Sequence, residues 1–287
     1  MTLIAMVSAK GSPGVSTAAL ACTLTWPASP EAPVLLAECD PAGGALLAGH
    51  LSRYDLPTDR GILPLASAVL RGTAEQELPG LLIDLDAGKH ERLALTGLSD
   101  PAQGASLHPA WGAIGEFLTG LSHAGWTVLA DCGRLASAYP PWPLLRQADV
   151  VLLALNPRSL ATISPAVPAL AALRRELAPT PAVLGLLPIG DGTPARELSR
   201  HLMAPVAAEI AGDSGTAAVL SGQGRGRRRG SLLRSAARAH RGVEALIAAD
   251  RGARVQLLPA AITSSAVPGS SVMPGSSVVP GSSVVRR

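Results

Sequence analysis

Five short runs are apolar at nearly every residue: Thr2–Val7, Val34–Glu38, Trp126–Ala130, Val150–Leu155 and Val183–Leu187. A strand with one face in water alternates polar and apolar side chains, and these runs do not. They read as strands buried on both faces, which is the pattern of a mostly parallel sheet covered by helices. The stretches between them supply the cover. Ser16–Trp26, Ile62–Leu70 and Trp111–Leu121 carry helical spacing or composition, whereas Leu81–Leu85 reads either as a strand or as a partner-facing segment. The expected fold class is therefore α/β, with helices on both faces of the sheet.

Composition agrees with a folded interior. Apolar residues are 47% of the chain and aromatics only 2%, so the core has to be built from Leu, Val, Ile and Ala. Three cysteines, Cys22, Cys39 and Cys132, show no metal-binding spacing and read as reduced thiols of a cytoplasmic protein, with Cys39 and Cys132 as small buried side chains. Met1–Val7 lacks a basic leader and runs straight into a glycine loop, so it reads as a first strand. No apolar run approaches the roughly 20 residues that span a bilayer.

In parallel sheets of this kind, ligands bind at the carboxyl ends of the strands. Polar and glycine residues gather there: Lys10–Thr17, Glu38–Asp40, Asp131–Gly133 and Asn156 are expected to converge on one site. The first segment, Lys10-Gly11-Ser12-Pro13-Gly14-Val15-Ser16-Thr17, joins a strand to a helix. Glycines there let backbone amides turn toward a phosphate, and a helix N-terminus favours an anion. A general phosphate loop would carry lysine at position 15 and a hydroxyl at 16. Ser16 meets the second requirement and Val15 does not meet the first. Asn156 has two readings, a ligand contact or simple turn chemistry.

This loop resembles the deviant phosphate loop of the ParA/MinD family, K-G-G-V-G-K-T-T. Lys10 matches that family's signature lysine, Gly11 and Gly14 its glycines, and Ser16 its magnesium ligand. Leu35-Leu36-Ala37-Glu38-Cys39-Asp40-Pro41 is similar to the family's L-L-x-D-x-D-P segment, with Glu38 in place of the first aspartate. Val128-Leu129-Ala130-Asp131-Cys132 resembles its Walker B strand, and Pro205 to Asp213 its late P-x-x-x-x-I-P-x-D segment. Pro188 stands where the family often has an adenine-binding asparagine.

The resemblance implies a P-loop NTPase domain over residues 1–250 that binds ATP and Mg2+ and forms a homodimer around them. Ser12, Pro13, Thr17 and the loop amides would hold phosphates. Lys10 would reach across the dimer, and Asp40 would orient the attacking water. Ser16, Asp40 and Asp131 would serve the metal, partly through water. With Val15 neutral, Lys10 is expected to be the one side-chain cation near the phosphates. The implied function is positioning or partitioning, with a protein partner in a partition, division or secretion system. Two alternatives remain. One is a pseudo-ATPase scaffold that binds a partner without hydrolysis. The other is a metabolic enzyme of the same superfamily, which would need further substrate-binding residues or an iron–sulfur cysteine pair.

The last part of the chain changes character. Gly222–Gly230 is rich in glycine and arginine. Ser231–Ala249 reads as an amphipathic helix with Leu233, Ala236, Ala237, His240, Val243 and Ile247 on one stripe and Ser231 as its cap. Arg225, Arg227, Arg228, Arg229, Arg234, Arg238 and Arg241 read either as a solvated face or as non-specific contacts to DNA phosphates. Residues 251–287 are expected to form a linker and a disordered tail, in which Val-Pro-Gly-Ser-Ser-Val repeats break helix and strand alike. The tail lacks the amphipathic helix that anchors MinD proteins, so direct membrane anchoring is not expected.

Overall fold

The computed structural model describes residues 2–10, 13–54, 56–57, 60–223 and 230–263, with side chains described up to residue 254. Seven strands form one sheet: β1 (Thr2–Ser8), β2 (Val34–Glu38), β3 (Ile83–Asp84), β4 (Arg92–Leu95), β5 (Thr127–Arg134), β6 (Val150–Leu155) and β7 (Val183–Pro188). Their spatial order is β3-β4-β2-β5-β1-β6-β7. All neighbours are parallel except β3, which pairs antiparallel with β4 at one edge.

Each all-apolar run is a strand whose side chains feed two separate cores. In β1, Leu3, Ala5 and Val7 enter one apolar cluster, while Ile4 and Met6 enter the other. The first cluster packs under the helices Ile62–Arg71, Ala74–Leu81, Trp111–His123 and Ala166–Leu177; the second lies under Val15–Thr25 and under residues 232–247 of the last helix. Cys22, Cys39 and Cys132 are all buried and free, and burial pushes each thiol pKa upward. Among the described residues, no helix is long and apolar enough to cross a membrane.

Several local readings change. Leu81 ends a helix rather than opening a strand, and only Ile83–Asp84 of that segment pairs as a strand. The strand Arg92–Leu95 was not read from the sequence: it is four residues long and opens on a charge. Ser231 is not a cap but the first helical residue, and its hydroxyl donates to Asp213 Oδ2 at 3.3 Å. The helix runs to Thr263, past Ala249; isolated glycines such as Gly242 and Gly252 weaken a helix without terminating it. Its apolar stripe holds, with Leu233, Ala236 and Val243 buried and Arg234, Arg238 and Arg241 exposed. Contacts within the chain divide it into two units, Met1–Asp250 and Arg251–Arg287. The expected repeat tail lies outside the described residues.

Candidate phosphate-loop site

The strand order places the carboxyl ends of β2, β5 and β1 side by side. Glu38 is in register with Asp131, and Ser8 with Arg134. Between the end of β1 and the Val15–Thr25 helix, Gly14 adopts φ 99°. That left-handed turn suits glycine, and its carbonyl accepts from Ala18 N at 2.8 Å. The helix then starts without a side-chain cap and without an acidic residue in its first turn. Among the described residues no side chain caps its leading amides, and a helix N-terminus of this kind favours an anion. These amides border a hollow of about 230 Å³ lined by Pro13–Thr17, Ser8, Asp40, Gly133 and Arg134. Gly11 and Ser12 lie outside the described residues.

Three carboxyl groups surround this loop. Asp131 is 2% exposed, and burial pushes its pKa up to about 7. Hydrogen bonds from Ser16 and from Gly133 N, at 3.0 Å, hold it back, while Glu38 and Asp40 raise it further. Asp40 is raised by burial, against the pull of the Ala42 N–H at 2.8 Å and the charge of Arg134. It lies directly over Gly133, whose φ is 64°; a Cβ there would sit 2.1 Å from Asp40 Cγ. Only glycine permits that approach.

Glu38 takes a different part from the one its place in the motif suggests. Its Oε1 accepts from Ala45 N at 2.7 Å and Leu46 N at 2.9 Å, and its Oε2 from Gly97 N at 2.9 Å. The side chain is spent on tying the chain together behind the loop. Thr17 spans both regions: it lines the loop hollow and also a small cavity of about 60 Å³ shared with Ser16, Glu38 and Asp131.

The remaining expected site residues separate. Lys10 is exposed and lines a neighbouring hollow of about 370 Å³ with Ala42, Arg134, Ser137 and Tyr139, rather than the loop hollow. Asn156 Oδ1 accepts from Arg158 N at 3.0 Å, which is turn chemistry, and Asn156 lines neither hollow. Val15 is 6% exposed and belongs to the apolar cluster with Ile4, Met6 and Ala18, although it also borders the loop hollow. Pro188 closes β7, and its carbonyl accepts from Ile210 N at 2.9 Å. Arg225 and Arg227–Arg229 lie outside the described residues.

Arg134 is the residue that sequence reasoning missed. It borders both hollows, so Lys10 is not the one cation near the loop. Its signal in the sequence is its position, immediately after Asp131-Cys132-Gly133. Among the described residues, no group of three or more His, Cys, Asp or Glu could hold a metal on its own.

No protein-family model matches the chain, and no curated protein matches it. Solved structures do. A ParA family ATPase from Chlorobium tepidum TLS superposes with a TM-score of 0.65 at 14% identity, over 83% of this chain and 98% of that one. The fold is that of the ParA/MinD ATPases. The septum site-determining protein MinD from Pyrococcus horikoshii OT3, complexed with Mg-ADP, has a TM-score of 0.62 at 17% identity, over 87% and 99% of the two chains. A cobyrinic acid a,c-diamide synthase from Mycobacterium smegmatis, with a bound ATP analogue and magnesium, reaches 0.54 at 18% identity, over 84% and 93%. The ParA/MinD fold thus extends to a biosynthetic enzyme, and the site has to carry the functional argument.

Proposed function

We propose that this chain is a cytoplasmic, ATP- and magnesium-dependent positioning or partitioning protein of the ParA/MinD kind, built as a nucleotide-controlled dimer switch. Its partner would be a component of a chromosome, division-site or pilus/secretion machinery. The observation that carries this reading is a helix N-terminus with no side-chain cap facing a hollow bordered by Asp40, with Asp131 bonded to Ser16 behind it and Lys10 exposed beside it.

The residues present fit the ligand. Free helix amides and the Ser16 and Thr17 hydroxyls suit phosphate oxygens. Magnesium is commonly held by one or two carboxylates together with phosphates and water, rather than by a cage of protein ligands. Ser16 bonded to Asp131 is such a partial site, and a divalent charge would offset the repulsion among Asp131, Glu38 and Asp40.

ATP supplies a transferable phosphoryl group, and magnesium neutralises its developing charge. The chain's own residues do the positioning. Ser16 and the Val15–Thr17 amides would bind the phosphates, and Asp131, bonded to Ser16, would serve the metal through water. Asp40, held over Gly133 and by the Ala42 N–H, would orient an attacking water. Lys10 lies outside the loop hollow, where a second subunit's phosphates could reach it. Arg234, Arg238 and Arg241 offer a basic stripe to a DNA or protein partner.

The burial of Val15 favours a second reading, the pseudo-ATPase scaffold. Light scattering separates the two. With ATP and magnesium, wild type is expected to dimerise and Lys10→Ala to remain monomeric, with nucleotide affinity in the micromolar to millimolar range. The exposed side chain of Lys10 has little to lose on truncation, so the fold should be unaffected. Equal masses for both proteins, with and without ATP, would overturn the switch and leave the scaffold.

A further inference from the structure

The loop lacks its lysine, yet a second cation stands over the same hollow. We propose that Arg134 supplies the phosphate-facing charge that Val15 cannot, and so serves as a binding residue for the polyphosphate chain of a nucleotide. This rests on the nucleotide reading above and names the residue that makes it workable.

The backbone is built to present Arg134. β1 and β5 pair regularly through Met6 and Asp131, but the next paired residues are Ser8 and Arg134. Two steps on β1 therefore match three on β5, an irregularity of the bulge kind. Such a bulge re-aims the side chain that follows it and is common beside active sites. Gly133 lies inside it at φ 64°, and Leu135 N donates to Ser8 O at 2.9 Å, which pins the far side.

Among the described residues the guanidinium makes no side-chain hydrogen bond. Among the described residues Arg134 makes no ion pair, although its charge is felt at Asp40. Its planar fork of donors suits phosphate oxygens and keeps its charge at any working pH. Arriving from the β5 side, it can do this without displacing Val15 from the apolar cluster.

Titration calorimetry with MgATP, ADP and AMP on the full chain tests this. Arg134→Ala is expected to weaken ATP roughly 10–150-fold, the loss typical of one charged hydrogen-bonding partner, and to weaken AMP far less. Arg134→Lys should keep part of the affinity. Adding Val15→Lys to Arg134→Ala should restore ATP binding, because a lysine stem can follow the apolar wall and emerge in the hollow. Melting curves control for folding. Equal ATP affinity in wild type and Arg134→Ala overturns the inference alone. Absence of ATP binding in wild type overturns the nucleotide reading with it.

Discussion

Glu38→Ala is expected to destabilise the Met1–Asp250 unit by about 3–6 kcal/mol, a large share of the roughly 5–15 kcal/mol that holds a typical domain together. Glu38 is 4% exposed and accepts three backbone N–H groups, from Ala45, Leu46 and Gly97. Alanine would leave these amides without their acceptor, at about 1–3 kcal/mol for each one that stays buried. Relief of a strained carboxylate offsets part of that loss, since burial and the charge of Asp40 both raise the pKa of Glu38. For a unit of this size the melting temperature should fall by roughly 10–20 °C. Glu38→Gln should fall less: its amide oxygen can keep the Ala45 and Leu46 bonds, while its NH2 opposes the Gly97 N–H. Scanning calorimetry of the three proteins checks this. An unchanged melt for Glu38→Ala would show that the turn is held by other contacts.

The second large effect concerns pH. Asp131 binds its proton up to about pH 7 in the folded protein, because burial disfavours its charge. The unfolded chain releases the same proton near pH 4. Between these values the native state holds more protons, so stability should fall as pH rises from about 4 to about 7 and level off above. The ceiling on this contribution is about 4 kcal/mol. Asp131→Asn removes the charge, so the protein without nucleotide should melt higher at pH 8 than wild type and lose most of the slope. Glu38 and Asp40 are raised in the same direction and would account for what remains. The same substitution should abolish the magnesium-dependent part of nucleotide affinity. A wild-type melting temperature that stays flat from pH 4 to 7 would show that Asp131 ionises normally.

Much of the fold was legible in the chain. Val34–Glu38 and Val150–Leu155 are strands with the bounds their composition suggests, since a strand buried on both faces has no polar positions to blur its ends. The edge pair β3 and β4 was not legible, because two- and four-residue strands carry too few positions to show a period. The glycine loop was legible through its residue types. The use made of those residues was less so. Asn156 turned out to hold its own turn, and Glu38 to brace the chain behind the loop.

By itself, then, the order of residues determined which segments become buried strands, that a glycine turn follows the first, and that Asp40 follows the end of the second; that β5 runs on through Asp131 to Arg134 was not legible, because its last residues are no longer all apolar. The legible features are consequences of hydrophobic period and backbone freedom within a few neighbouring residues. Only the tertiary structure decided that Val15 faces an apolar cluster, that Gly133 lies under Asp40, and that Arg134 borders the loop hollow. Those outcomes depend on pairings such as Ser8 with Gly133, 125 positions apart, and Glu38 with Gly97, 59 positions apart. Spacing within a motif carries no record of such contacts, because the sheet sets them when it brings distant strand ends together.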